Sequence, residues 1–481
     1  MHLRVVLQIT GILLTIFSLT LLIPAAVAWI YSEPTIPTFG LAFLVTGGSG
    51  LFLWLTMRSN EELRSGDGFL VTALFYVALA MAGTLPFLLN SELSISFTDA
   101  AFESMSGLTT TGGTVLTGLD DIHRSLLFYR QLLQWFGGMG IIVLAVAILP
   151  MLGVGGMQLY RAESPGPVKD AKLTPRIAET AKALWMIYVG LTVACSFAYW
   201  LAGMDLFDAI CHALSTVSIG GFSTHDASIG FFQSPAIESV AVFFMVLSAI
   251  NFGLHFSVLR HSNPLLYFRD AELRAMLWLM LAGFVLVSGV LLGHSVQSER
   301  PVLDALFQVV SMMTTTGFTS TDYTAWPAAA SILLILASFA GGSAGSTAGG
   351  IKIVRVLLLF LQGVRELRTL IHPAAVYQVM LGGARVSDKV ISAVWSFCAV
   401  YALTFFILLV LVAILSGLDF ETSFSAVAAC LNNLGPGLGE VAANFQTVND
   451  PTKWILIIAM LLGRLEIFTI LVLLTPLFWR R

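Results

Sequence analysis

Four stretches of this 481-residue chain combine residue types and spacing that suit the coordination of a cation. They are Leu108-Thr109-Thr110-Thr111-Gly112, Val217-Ser218-Ile219-Gly220-Gly221, Met313-Thr314-Thr315-Thr316-Gly317 and Asn432-Asn433-Leu434-Gly435. Each closes on a glycine thirteen residues after an opening position, which is Asp99, Asp208, Asp304 or Thr422. The opening residues predict helix N-caps, whose side-chain oxygens accept orphan backbone N–H groups. A short helix should follow, and then an extended segment bearing the glycine. Glycine tolerates φ > 0, which lets successive carbonyls turn the same way. Four such segments around one axis would form rings of carbonyl oxygens able to replace the hydration shell of a monovalent cation. The short helices would aim their partly negative C-termini at the same point. The hydroxyls of Thr109–Thr111 and Thr314–Thr316 either add ligands or bond back to their own helices; both roles fit the sequence.

Such segments need a frame, and the composition says where it lies. Hydrophobic residues make up 57% of the chain and charged residues 11%, with a net charge of −4. A soluble globular protein carries about a quarter of its residues as charges, so this chain lacks the surface to live in water and belongs in a lipid bilayer. No basic face exists for nucleic acid, and the apolar content excludes disorder. Cys195, Cys211, Cys398 and Cys430 lie apart in apolar stretches without a CxxC pair. They read as small core residues rather than as a disulfide framework or zinc site.

A helix crosses the hydrocarbon core with roughly 20 apolar residues. Ten stretches meet that length: 5–30, 39–57, 69–89, 126–150, 183–203, 235–260, 274–294, 328–362, 390–416 and 453–478. The first is too long for the apolar region of a secretory signal and is taken as a retained span. Basic residues fix the orientation. Of the 24 Lys and Arg residues, 19 fall on the side that holds both termini. That side is cytoplasmic, and the four glycine-bearing stretches then enter from outside. The fold class is an all-α integral membrane protein. Two extra spans (1–65) precede four span–short helix–span repeats at 66–160, 161–262, 263–372 and 373–481.

Two further features lie at membrane depth. Residues 341–350 contain five glycines among small residues, namely Gly341, Gly342, Gly345, Gly349 and Gly350, with Ser343, Ser346 and Thr347 between them. An unbroken helix is disfavoured there, so an intramembrane loop is expected to interrupt the eighth span; close glycine contacts between helices are the competing reading. The Gly341-Gly-Ser-Ala-Gly345 match to a hydrolase nucleophile pattern lacks the strand–turn–helix setting that chemistry needs, and the chain is not read as an enzyme. Arg464 lies within the last span, where an isolated charge costs roughly 2.5–3.5 kcal/mol on insertion scales. It should therefore face the ion path or a partner on another span. Glu466 at i+2 lies on a different helix face and makes a poor partner. His212 reads as a hydrogen-bonded core residue.

The fourfold plan resembles the Trk/Ktr/HKT superfamily of potassium transporters. The two-span prelude, RQLLQWFGGMGI from Arg130, STVSIGGFSTHD from Ser215 and NNLGPGLG from Asn432 are similar to the membrane subunit of bacterial Trk potassium uptake. The resemblance covers essentially the whole chain. It implies that Gly112, Gly221, Gly317 and Gly435 are selectivity-filter glycines. Glycine in all four copies is typical of potassium-selective members, and K+ is then the transported ion. It also implies that the loop at Gly341–Gly350 gates the pore, although Ala348 stands where a glycine is expected. A homodimer in the bacterial inner membrane, docked on a cytoplasmic nucleotide-binding regulatory subunit of the TrkA type, follows from the same resemblance. Passive conduction and proton-coupled symport both remain open. A transporter of organic substrates would show inverted repeats, whereas these four share one sense. A non-transporting scaffold would have no need of four glycine-bearing hairpins.

Overall fold

The computed structural model describes residues 3–59, 65–140, 177–294 and 299–480, and the chain is overwhelmingly helical. Among these residues six helices are long and apolar enough to cross a membrane: Leu3–Ile30, Ile36–Thr56, Asp67–Leu88, Ala181–Leu201, Ala271–Gly293 and Asp388–Ser416. Two bent pairs raise the count to eight. The stretch at 126–150 is helical over Arg124–Trp135 and continues as a π-turn over Phe136–Gly140; its remainder lies outside the described residues. Large apolar side chains such as Phe52, Trp278 and Ile414 stand exposed on these helices, the surface a hydrocarbon solvent requires.

Three of the expected spans are not single helices. The stretch at 235–260 divides into Pro235–Ala249 and Phe252–His261, bent by 91°. The stretch at 328–362 becomes Ala328–Ala340 and Ile353–Ile371 on either side of a loop. The last divides into Asp450–Arg464 and Glu466–Leu474, bent by 113°, with Glu466 at φ 54°. Glycine content anticipates the second break only. The first has Asn251 as an N-cap whose side chain accepts the Gly253 N–H at 2.7 Å, so a polar residue inside an apolar run starts a new helix.

The short helices are present in all four copies: Phe97–Leu108, Leu206–Ser218, Pro301–Met313 and Phe420–Leu431. Their caps differ from the expectation. Ser96, Asp205 and Asp419 are the N-caps, accepting the N–H groups of Asp99, Asp208 and Thr422, and the third helix starts with Pro301 after Arg300. Asp99, Asp208 and Thr422 therefore sit three residues after the cap, and Asp304 four residues after Arg300, all in the first turn. A carboxylate there still complements the helix dipole. Asp99 takes Lys453 at 2.7 Å and Asp208 takes Thr224 at 2.7 Å.

Leu3–Thr20, the first part of the Leu3–Ile30 span, and Ile36–Thr56 pack backbone against backbone. A Cβ on Gly11 would lie 2.6 Å from the Trp54 backbone nitrogen, and one on Gly50 would lie 2.7 Å from that of Thr15. Small residues that admit close backbone approach drive helix pairing where lipid offers no hydrophobic force. Gly50→Leu should therefore force the pair apart and cost about 1–3 kcal/mol, the usual overpacking penalty. A lowered melting temperature in detergent is the expected result; an unchanged one means the pair contributes nothing to stability.

Candidate functional site

Each short helix ends in the same way. The residue after its C-terminal turn adopts the left-handed conformation, and a glycine two positions on is again at positive φ. The pairs are Thr110 (55°) with Gly112 (81°), Ile219 (56°) with Gly221 (81°), Thr315 (63°) with Gly317 (79°), and Asn433 (54°) with Gly435 (100°). The hydrogen bonds repeat too. Thr111 N–H donates to Ser106 O, Gly220 to Ser215, Thr316 to Ser311 and Leu434 to Ala429, at 2.8–2.9 Å. This is the Schellman closure of a helix. None of its four left-handed residues is glycine, and Thr110, Ile219 and Thr315 are β-branched, a strained choice that tertiary packing must offset.

The four segments close into a ring in chain order. A Cβ on Gly112 would run into the carbonyl oxygen of Gly220, one on Gly221 into that of Thr316, and one on Gly317 into that of Leu434. A Cβ on Gly435 would stand 2.6 Å from the carbonyl oxygen of Thr111. Every glycine thus abuts the next copy's backbone, and the fourth returns to the first. All sixteen residues from Thr109–Gly112, Ser218–Gly221, Thr314–Gly317 and Asn432–Gly435 are brought to this one place, nearly all of them buried.

The threonine hydroxyls have protein partners. Those of Thr109 and Thr314 donate to Met105 O and Val310 O at 2.7 Å, and each also pairs with the hydroxyl of Thr111 or Thr316 at 2.8 Å. Thr315 Oγ1 accepts Gly349 N–H at 2.7 Å, and Thr110 Oγ1 accepts from Arg464 at 3.2 Å. The Ser218 hydroxyl donates to Ser215 O at 3.0 Å, and the Asn433 amide to Thr111 Oγ1 and Met460 O at 2.9 Å. Of the backbone oxygens in these segments, that of Gly220 accepts from Gln134 and that of Asn432 from Gly350 N–H.

Beneath the ring, at the C-terminal ends of the short helices, lies the loop between Ala328–Ala340 and Ile353–Ile371. Gly341 and Gly350 meet at its neck, where a Cβ on Gly350 would be 2.9 Å from the Gly341 Cα. Its lobe is pinned at several points. Gly350 N–H donates to Asn432 O at 3.0 Å, and the Thr347 hydroxyl reaches Val217 O at 3.2 Å. Ser343 N–H donates to Ala249 O at 2.9 Å, and Gly345 O accepts Phe252 N–H at 3.0 Å. Those last two partners flank the break in the Pro235–His261 stretch, so two broken helices supply each other's missing backbone partners. The Gly342 carbonyl accepts Ile353 N–H at 3.0 Å, and the Ser346 hydroxyl donates to Ser343 O at 2.6 Å. Ala348 is buried with Ile219 and Met313 in one apolar cluster. The missing glycine at that position is thereby used for packing.

Arg464 stands where the ring and loop meet. Besides Thr110, its guanidinium donates to Thr347 O at 3.2 Å, to Gly138 O at 2.6 Å and to Gly137 O. No carboxylate is among these partners. Glu466 instead takes Arg355 at 2.8 Å. His212 is fully buried, with Nδ1 at 2.9 Å from Asp208 O and Nε2 at 2.9 Å from Ser223 Oγ, a core histidine.

Comparison with known proteins bears on what such a ring is for. A family model for TrkH, a cation transport protein, matches residues 36–478. The chain belongs to the TrkH family. It is 55% identical to the Trk system potassium uptake protein TrkH of Vibrio parahaemolyticus and 53% identical to that of Escherichia coli K12, over the full length of every chain. The crystal structure of the potassium transporter TrkH from Vibrio parahaemolyticus superposes with a TM-score of 0.90 at 52% identity, covering both chains completely.

This TrkH-family ring is braced from behind by residues whose roles the sequence reading did not assign. Glu103, wholly buried, binds Arg130 at 2.7 Å, and both its oxygens accept from the Thr114 hydroxyl. Arg130 also donates to Ser223 O at 3.0 Å and covers the Phe222 ring at 4.2 Å, tying the first copy to the second. Gln134 donates to Gly220 O at 2.5 Å while its own oxygen accepts from Ser215 at 2.7 Å and from Phe222 N–H at 3.1 Å. A carboxylate near the C-terminal half of an apolar short helix and an Arg–Gln pair at i and i+4 are the signals the sequence offers. Removing one partner of a buried pair leaves the other charge unmet, at about 3–5 kcal/mol. Glu103→Leu should lower the thermal midpoint sharply while Glu103→Leu with Arg130→Met recovers part of the loss. Equal destabilisation by the single and double variants would exclude a coupled brace.

Proposed function

We propose that the chain is the potassium-conducting membrane subunit of a Trk-type uptake system, with the glycine ring as a carbonyl-lined selectivity filter. The observation that carries this reading is the fourfold identity of backbone around a closed ring, with the threonine hydroxyls already bonded to protein. Fixed rings of carbonyl oxygens are the means by which a pore exchanges an ion's water shell for protein ligands. The potassium uptake named for the relatives at 53–55% identity supports the choice of ion. Short-helix C-termini converging on the ring add a negative potential that favours a cation.

The loop at Gly341–Gly350, with Arg464 beside it, is the gate in this proposal. A guanidinium near the inner end of the ring opposes a passing cation, and the loop fills the space that an ion leaving the filter must cross. A cytoplasmic nucleotide-binding regulatory subunit would draw on the helix Ile353–Ile371 to displace the loop, and the functional unit is a homodimer in the bacterial inner membrane. The bias of 19 of 24 basic residues toward one side supports cytoplasmic termini.

Two measurements test the reading. A side chain at Gly317 must displace Leu434 O and Pro436, so Gly317→Ser should lower the potassium-to-sodium flux ratio in vesicles by about tenfold, about 1.4 kcal/mol. A folded variant with an unaltered ratio removes the ring as the filter. Deleting Ala344–Ala348 takes away the lobe but leaves the glycine neck and should raise potassium flux in the absence of the regulatory subunit, with selectivity kept. Flux that stays low and still depends on that subunit would mean that the gate lies elsewhere.

A further inference from the structure

One carboxylate outside the ring touches both limbs of the loop. Glu272 lies in the first turn of Ala271–Gly293, after the N-cap Asp270. Its Oε1 accepts the N–H of Ala344 at 2.7 Å, on the outgoing limb, and the N–H of Val354 at 3.2 Å, beyond the returning limb. Val354 is the second residue of Ile353–Ile371, whose own N-cap position is Lys352 at φ 82° with no side-chain cap. Of the N–H groups that open the helix leaving the loop, that of Ile353 is taken by Gly342 O and that of Arg355 by Lys352 O, which leaves Val354 N–H in need of a partner. Glu272 supplies the cap from a different span. A negative charge there is also favoured by the helix dipole, and hydrogen bonds to a charged acceptor are about twice as strong as neutral ones.

Most other anchors of the loop come from the ring, from Arg464 or from the neighbouring broken helix, and the Ser343 hydroxyl reaches Met276 Sδ at 3.9 Å on the same span as Glu272. Glu272 differs in holding the loop and the helix that follows it with one oxygen. It joins the loop to the helix end on which a cytoplasmic pull would act. Ala344 is also packed with Val354 and Leu358 in one apolar cluster, so the two limbs meet side by side where the carboxylate grips them.

We propose that Glu272 is a positioning residue that latches the intramembrane loop in its obstructing position, capping Ile353–Ile371 and holding Ala344 with the same oxygen. The proposal rests on the reading of the loop as the gate. Releasing the latch lets the two limbs separate and frees the lobe without touching the ring.

The test uses the purified full-length protein in proteoliposomes, with and without the regulatory subunit. Glu272→Ala should raise potassium flux without that subunit by about tenfold, the size expected when a charge-assisted hydrogen-bonded contact is lost. Glu272→Gln, which keeps an acceptor oxygen but not the charge, should fall between it and the parent protein. The potassium-to-sodium ratio should not change in either. Labelling of Ala344→Cys by a thiol reagent, in a background with Cys398→Ser, should be faster when Glu272 is replaced. If Glu272→Ala does not fold, Glu272→Gln is judged by the same readings. Folded variants with parental flux and labelling overturn the latch, provided that deleting Ala344–Ala348 does raise flux. If the deletion also has no effect, the gate reading fails and takes the latch with it. Raised flux with lost selectivity overturns the latch as well, because Glu272 would then be acting through the ring.

Discussion

A backbone that leaves the helical path inside a bilayer must find a partner for every N–H and C=O it frees, because hydrocarbon offers none. Most of this structure can be understood as the answer to that demand. The loop between Ala340 and Ile353 and the bend at Ile250–Asn251 solve it jointly: Ser343 donates to Ala249 O and Phe252 donates to Gly345 O. Neither break could stand alone at that depth. The bend that the apolar pattern hides is therefore a requirement of the loop that the glycines reveal.

The same demand shapes the ring. Four Schellman closures meet the last carbonyls of the short helices from within their own copies, and the glycines then let neighbouring copies approach to backbone contact. Side-chain groups supply what remains. Gln134 accepts a donor and serves an acceptor on the second copy, and the Glu103–Arg130 pair holds Thr114 and Ser223 from the rear. Such a brace costs desolvation of two charges. Its return is a fixed geometry in a segment that has no helix or sheet of its own. Ile219 illustrates the balance. Its left-handed backbone is unfavourable for a β-branched residue, yet its side chain joins Ala348 and Met313 in a buried cluster under the ring.

What the sequence made legible follows from which signals are local. Apolar runs long enough to span a bilayer, and a spacing of thirteen residues repeated four times, identify the repeat plan because both are periodic in the chain. The glycine-rich run at 341–350 gave away the loop for the same reason. The starts of the short helices were misplaced by three residues, since Asp99 and Asp208 resemble caps as strongly as Ser96 and Asp205 do, and both sets lie where acidic or hydroxyl groups are favourable. The left-handed residues Thr110, Ile219, Thr315 and Asn433 include no glycine, so nothing marks them until the backbone is traced. Glu272 was invisible because its partners lie 72 and 82 residues away. Arg464 stood out as a charge in a span, but its four oxygen partners come from three separate parts of the chain.

The ring has an implication for how such a chain can change over generations. The four units differ in residue type at corresponding positions, as Thr422 against Asp99 and Asn433 against Thr110 illustrate. At the glycines the copies are not independent. Each Cα lies against the carbonyl of the copy that follows, so an alteration in one displaces its neighbour, and the disturbance travels round to its origin in four steps. Compensation must come from the adjoining copy, some hundred residues along the chain, rather than from nearby sequence. Closure of the ring thus ties four separate parts of one chain into a single unit of change.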